Sequence, residues 1–331
     1  MDILIILLSF AACLILTTWI RKILFRKNLL DQPNERSSHT VPVPRGGGWA
    51  LLAVLVPAII ITSLKQHSFV EHAGLLGGIV VLAGISWVDD KRGVNALARL
   101  SLHLLAAYLG SLCLPPTATL FGGLLPFAYD RAVLIVGWAL FLNLYNFMDG
   151  IDGITGTETI SLATGVCLVM TSISMTDPFV SILTLVLTGS CLGFLAFNWH
   201  PAKIFLGDVG SVPLGYLTGF CLLTLALNGH PAQALILPLY YLADSGITLA
   251  KRIVRREKFW QAHRQHFYQR AAQGVGRHDK VVFLIATANI GLVVAALLSV
   301  SFLWEGLATA LLIVALLLYK LHKLGHAHSA P

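Results

Sequence analysis

The chain alternates long apolar runs with short polar connections. Runs of about 16–22 residues rich in Leu, Ile, Val, Phe and Ala recur along it, and each matches the ~20 residues that cross a bilayer as one helix. About eleven such runs can be drawn, with ten as the alternative count: 2–20, 46–64, 73–88, 97–114, 131–146, 154–174, 178–197, 211–227, 231–250, 280–302 and 305–320. The segment 120–128 is apolar too, but it is short and holds Gly122, Gly123 and Pro126, so it is predicted to be a loop at the outer surface. The pattern predicts an all-α integral membrane protein in which residues 1–331 form one polytopic domain. Its polar connections fall at 21–45, 88–96, 146–153, 198–210 and 251–279, and no stretch is left over for a separate soluble domain.

Composition agrees. Of 331 residues 56% are hydrophobic and 12% charged, with a mean hydropathy of +0.77, which excludes an ordinary soluble globular protein. The charges then orient the chain. Met1 and Asp2 precede the first run while Arg21, Lys22, Arg26 and Lys27 follow it, the reverse of a cleaved signal peptide. That asymmetry predicts a periplasmic N-terminus and, after eleven spans, a cytoplasmic C-terminus. All of the 23 Lys and Arg residues except Lys65 and Arg131 then fall on the cytoplasmic side. The net charge of +7 is therefore one-sided and suits anionic headgroups or phosphorylated substrates. Nucleic acid is excluded as a partner, because the basic residues sit on short membrane connections without a recognition fold. The five cysteines lie in or at the ends of runs without C-x-x-C pairing and are predicted to be buried and reduced.

Five acidic residues stand where apolar runs end. Asn143, Asn146, Asp149 and Asp152 crowd the stretch 143–153 between two runs, and carboxylates at that depth mark a functional site by default. Asp89 and Asp90 lie beside Lys91 and Arg92, and Asp208 is flanked by Gly207 and Gly210 at the start of another run. An acid there could simply cap a helix. The first connection ends in Arg45, Gly46, Gly47 and Gly48, whose amides open a helix and would form an anion site. Lys203 precedes Asp208. The last polar connection carries His263, Arg264, His266 and Arg270, which would share one face if the segment were helical. Glu158 and Asp244 fall inside runs and are predicted to face the bundle interior. The alternate topology places every one of these connections on the cytoplasmic face. Acids gathered there call for a cation, and oxygen ligands without cysteine favour Mg²⁺, with Mn²⁺ in its place as the alternative. A divalent ion with Arg and His clamps is the equipment of phosphoryl transfer. A secondary transporter would instead hold its ionisable groups near the bilayer midplane.

Five motifs in this order resemble the polyprenyl-phosphate N-acetylhexosamine-1-phosphate transferase family, which includes MraY-type and WecA-type enzymes. They are DxPNxRSxH…PxPRGGG at 31–48, the Asp89–Asp90 pair, NxxNFMDGIDG at 143–153, FLGDVGS at 205–211 and HxxHxYQR at 263–270, together covering about 30 to 270. The chain looks most like the bacterial O-antigen branch that takes modified UDP-N-acetylaminosugars, and it lacks the compact triple-histidine run of the MraY type.

The resemblance implies an active site on the cytoplasmic face of the bacterial inner membrane. The implied reaction joins a UDP-N-acetylaminosugar to undecaprenyl phosphate, giving undecaprenyl-diphosphate-sugar and UMP, and starts lipopolysaccharide O-antigen or related glycan synthesis. Phospho-MurNAc-pentapeptide transfer is the alternative within the family, and a homodimer is compatible with it. Asp208 and Asn146 are then expected to ligate Mg²⁺. Asp89 or Asp90 would orient the lipid phosphate and keep it deprotonated, which makes Asp89, Asp90, Asp208 and His263 the expected catalytic set. Asp149 and Asp152 would hold the ribose and uracil, with Asp152 on the base. Asn143, Arg45, Gly46, Gly47, Lys203, Arg264, His266 and Arg270 complete the expected binding residues.

Overall fold

The computed structural model describes residues 2–32, 41–257 and 263–326. Residues 33–40 of the first motif, Lys258 and His328 lie outside the described residues. In chain order the helices are α1 (Asp2–Arg26), α2 (Gly48–Lys65), α3 (Phe69–Arg92), α4 (Ala96–Ser111), α5 (Phe127–Phe147), α6 (Ile154–Ser172) and α7 (Pro178–Asn198). They continue with α8 (Asp208–Leu227), α9 (Pro231–Ile236), α10 (Leu239–Val254), α11 (Phe267–Val275), α12 (His278–Ser301) and α13 (Leu303–Gly325). Between α1 and α2, β1 (Leu30–Asp31) pairs antiparallel with β2 (Val43–Pro44), Leu30 opposite Pro44.

The protein is thus all-α, and among the described residues nine helices are long and apolar enough to cross a membrane. Two predicted spans differ. Helix α4 has 16 residues, about 24 Å at 1.5 Å per residue, which is short of a ~30 Å hydrocarbon core. The predicted span 231–250 is not one helix. It breaks between Ile236 and Leu239, because Pro238 has no N–H with which to continue the ladder. Residues 120–126 form turns as predicted, while Phe127 already belongs to α5. The buried carboxylate of Asp130 holds those turns, accepting from the amides of Leu120 at 2.8 Å and Phe121 at 2.9 Å.

Helix α8 is the hub: 94% of its apolar window is buried in protein, against 17% for α1. With lipid as apolar as leucine, close packing by small residues rather than hydrophobicity draws helices together. Gly215 and Gly219, one turn apart on α8, provide that contact with α5. A Cβ on Gly215 would lie 2.8 Å from Tyr145 Cβ, and one on Gly219 would lie 2.5 Å from Trp138 Nε1. The same Trp138 donates Nε1–H to the Tyr216 carbonyl at 3.1 Å. At the other end of α8, Gly48 and Gly210 touch so closely that a Cβ on Gly48 would sit 2.2 Å from Gly210 Cα. This contact presses the start of α2 onto the start of α8 and brings the first and fourth polar connections together. Glu158 and Asp244 face the interior as expected, each with 0% exposure. All five cysteines are free, with Cys113 and Cys167 only half-buried.

Candidate active site

The polar connections predicted to share a face do meet. Arg45, between β2 and α2, bridges Phe205 in the chain leading to α8. Its Nη2 lies 2.7 Å from Asp90 Oδ1 at the end of α3 and 3.1 Å from Asp208 Oδ1 at the start of α8. One guanidinium nitrogen therefore holds two carboxylates from distant parts of the chain. Burial alone would lower the Arg45 pKa, but Asp90 and Asp208 outweigh it and raise it. Asp90 Oδ1 keeps the ion pair yet has no aligned hydrogen-bond donor. The amides of Gly46, Gly47 and Gly48 are not left open for an anion. Gly46 and Gly47 donate to the Phe205 carbonyl and Gly48 to that of Leu206, at 2.8–3.2 Å, so these glycines zip two connections together.

The adjacent acids Asp89 and Asp90 part company. Asp89 Oδ2 pairs with Arg99 Nη1 at 2.9 Å, and its Oδ1 accepts the Val94 amide at 2.6 Å, which ties α3 to α4. Behind this pair lies a cavity of about 580 Å³. Asp89, Arg99, Asn143, Asn146 and Asp208 line it together with Leu97, Leu100, Leu140, Leu144 and Val212. Its lining thus combines charged and amide groups with hydrocarbon side chains. Asn146 Oδ1 accepts from Ser211 Oγ at 2.5 Å, one turn beyond Asp208, which fixes the amide against the first turn of α8. Asn143 donates Nδ2–H to its own helix, to the Ala139 carbonyl at 2.6 Å.

The turn between α5 and α6 carries the other two acids. Gly153 is left-handed at φ 79°, a conformation glycine adopts without strain, and its amide donates to Asn198 Oδ1 at 3.0 Å. Asp149 Oδ1 accepts from Thr155 Oγ1 at 2.6 Å. Burial pushes the Asp149 pKa up to about 7, with Thr155 pulling it back in part. Asp152 behaves oppositely. Burial would raise its pKa, but contacts from His278, His200 and the Ala202 amide prevail and hold it below the usual range. His200 Nδ1 is 2.7 Å and His278 Nδ1 3.2 Å from Asp152 Oδ2. Neither histidine belongs to the expected set. His200 precedes Pro201 and His278 opens α12, about 80 residues apart in a chain of 331, so no spacing links them.

The last connection departs from the helical expectation. Helix α11 starts at Phe267, so His263 lies in irregular chain and His266 is the residue before the helix. His266 is 1% exposed. Its Nδ1–H donates to Asp244 Oδ1 at 3.2 Å, and the amides of Phe267 and Tyr268 donate to the same carboxylate at 3.0 and 3.1 Å. An acceptor-only carboxylate thus caps α11, and His266 is turned into the protein rather than toward a phosphate. Tyr268 Oη donates to the Phe147 carbonyl at 3.0 Å. Gly150 makes room for that hydroxyl, since a Cβ there would lie 2.2 Å from it. His263 stacks on His266 at 4.9 Å. Its burial, with help from His266 and Arg252, takes its pKa down to about 4, so it is neutral at pH 7. Arg264 and Arg270 line a cavity of about 480 Å³ with Lys251 and Arg255. Arg270 Nη2 also meets His326 Nε2 at 3.0 Å. Lys203 is exposed.

The family model described as glycosyl transferase family 4 matches residues 72–226, which contain Asp89, Asp90, Asn146, Asp149, Asp152 and Asp208. The chain is 25% identical over 317 residues to the probable undecaprenyl-phosphate N-acetylglucosaminyl 1-phosphate transferase of Bacillus subtilis, covering 91% of this chain and 86% of that one. Over residues 72–226 the chain is similar to glycosyl transferase family 4, and its relatives are enzymes of the MraY/WecA superfamily. Within that superfamily it is also 30% identical over 219 residues to the decaprenyl-phosphate N-acetylglucosaminephosphotransferase of Mycobacterium tuberculosis, covering 60% of this chain and 54% of that one. A third relative, the phospho-N-acetylmuramoyl-pentapeptide-transferase of Thermosynechococcus vestitus, is 30% identical over 203 residues, covering 56% and 52%. The chain thus matches most of the Bacillus protein and about half of the other two.

Proposed function

We propose that the protein transfers an N-acetylaminosugar 1-phosphate from a UDP-sugar to undecaprenyl phosphate at the cytoplasmic face of the bacterial inner membrane. The products are undecaprenyl-diphosphate-sugar, which initiates O-antigen or a related envelope glycan, and UMP. The observation that carries this reading is the 580 Å³ cavity, lined by hydrocarbon side chains together with Asp89, Arg99, Asn146 and Asp208. A lipid phosphate needs both surfaces at once. The printed names of the Bacillus and mycobacterial relatives support the polyprenyl phosphate acceptor.

In this reading the lipid phosphate enters beside Asp89, which Arg99 and the Val94 amide hold in one orientation. Asp89 or Asp90 keeps that phosphate ionised, so that its oxygen attacks the sugar-bearing phosphorus and UMP departs. Mg²⁺, or Mn²⁺ in its place, suits the donor set. Asp90 and Asp208 already converge on one cationic nitrogen, Asp90 Oδ1 has no aligned donor, and Asn146 supplies a neutral hard oxygen. Asp208 and Asn146 would hold the ion, which neutralises pyrophosphate charge when bound. Asp149 and Asp152 take the nucleoside, Asp152 on the base. Arg264 and Arg270 draw phosphate or departing UMP into the cationic cavity, and His263, neutral at pH 7 and next to Arg264 in the chain, offers a hydrogen bond.

The test is an assay on membranes with undecaprenyl phosphate, Mg²⁺ and a panel of labelled UDP-sugars. UMP release that needs both lipid and metal supports the proposal. Sugar-nucleotide uptake without UMP release would point to a transporter instead. The Thermosynechococcus relative favours a second reading, phospho-MurNAc-pentapeptide transfer, and UDP-MurNAc-pentapeptide as donor in the same assay separates the two.

A further inference from the structure

Asp152, His200 and His278 come from three separate segments: the α5–α6 turn, the α7–α8 connection and the first residue of α12. One ligand atom from each lies within 4.8 Å of the others. Metal–ligand bonds of about 2.1 Å place neighbouring donor atoms about 3.0–3.4 Å apart. The observed 2.7 and 3.2 Å separations from Asp152 Oδ2 are within a few tenths of an ångström of that spacing.

A second observation concerns His278 alone. The Asp152 amide N–H donates toward His278 Nδ1 at 3.3 Å, while Asp152 Oδ2, an acceptor when ionised, stands 3.2 Å from the same nitrogen. One ring nitrogen cannot offer a lone pair to the amide and a proton to the carboxylate. A cation shared by Oδ2 and the two imidazoles satisfies the carboxylate without that proton, and the Nδ1 lone pair then goes to the metal rather than to the amide. The group is also reachable: His200 and His278 line a cavity of about 220 Å³ with Gly150, Ile151, Arg264 and Gln269.

We propose that Asp152, His200 and His278 form a metal site, separate from the magnesium centre at Asp208 and Asn146, that takes one late first-row divalent cation such as Zn²⁺. Two imidazoles and one carboxylate select such an ion over Mg²⁺, which prefers oxygen. The ion uses Asp152 Oδ2 and leaves Oδ1 to the nucleotide. It clips the α5–α6 turn to the α7–α8 connection and to α12, so its presence does not depend on which sugar is transferred.

The test uses the full chain in detergent without an oligohistidine tag, with His322, His326 and His328 replaced by Ala so that the tail contributes no binding. Protein loaded with Zn²⁺ is dialysed and its metal counted by mass spectrometry, and Co²⁺ is titrated while visible d–d absorption is followed. The expected result is one retained equivalent and a Co²⁺ spectrum of low coordination number. Affinity should fall by at least about 100-fold in His278→Ala and in His200→Ala and stay unchanged in Asp208→Asn. The proposal is overturned by a wild type that retains no stoichiometric metal, by His variants that retain it, or by loss confined to Asp208→Asn. If His278→Ala does not fold, judged by gel filtration and circular dichroism, the more exposed His200 decides through His200→Ala.

Discussion

Asp244 offers the sharpest test of how the cationic connection is held. Its carboxylate has 0% exposure and accepts from two backbone amides, Phe267 and Tyr268, from His266 Nδ1 and from the hydroxyls of Tyr240 and Thr248. In Asp244→Ala the Thr248 hydroxyl can turn to a backbone carbonyl one helical turn back, but the amides, the imidazole and the Tyr240 hydroxyl lose this acceptor. Each orphaned buried donor costs about 1–3 kcal/mol, and losing one partner of a buried pair costs about 3–5 kcal/mol. We take about 3–5 kcal/mol for undocking residues 263–268, which is roughly 10²–10⁴-fold in the opening equilibrium. Hydrogen exchange by mass spectrometry in detergent reads this directly. The Phe267 and Tyr268 amides should exchange faster by that factor, with peptides from α8 unaffected. Asp244→Asn should fall between, because it keeps one acceptor oxygen and turns a donor toward the remaining N–H groups. Unchanged protection at Phe267 and Tyr268 in Asp244→Ala would refute the anchoring role. UMP release in the same variants then reports how far the docked position of Arg264 and Arg270 matters.

Three further predictions concern the site itself. Asp208→Asn should weaken Mg²⁺ activation of UMP release by about 10–100-fold or more, read as a shift of the Mg²⁺ titration, and EDTA should abolish release from wild-type membranes. Asp149, pushed up to about 7 by burial, is protonated below that pH and ionised above it. If its carboxylate accepts from the nucleotide, activity climbs between about pH 6 and pH 8. Asp149→Asn should flatten that limb, and a wild-type limb surviving in the variant would assign the titration elsewhere. Gly48→Ala forces a Cβ to 2.2 Å from Gly210 Cα, and such overpacking costs about 1–3 kcal/mol or more. A lower thermal unfolding midpoint in detergent should accompany lost UMP release.

The apolar period determined the class of this protein, because a bilayer demands runs of one length and tolerates acids only at their ends or inside the bundle. It therefore also picked out the acid-bearing connections. What it could not determine was pairing. Nothing near Asp89 and Asp90 in the sequence says that one turns to Arg99 and the other to Arg45, since that choice depends on where α4 and α8 stand. The break at Pro238 was in plain view as a proline, yet mean apolarity hid it inside a run. Helical spacing misplaced His263 and His266 because Asp244, more than 15 residues upstream, caps α11 at Phe267 and draws His266 inward. His200 and His278 carry no local signal at all. Their meeting on Asp152 was decided by three-dimensional packing alone, since only the tertiary fold brings the start of α12 against the α5–α6 turn.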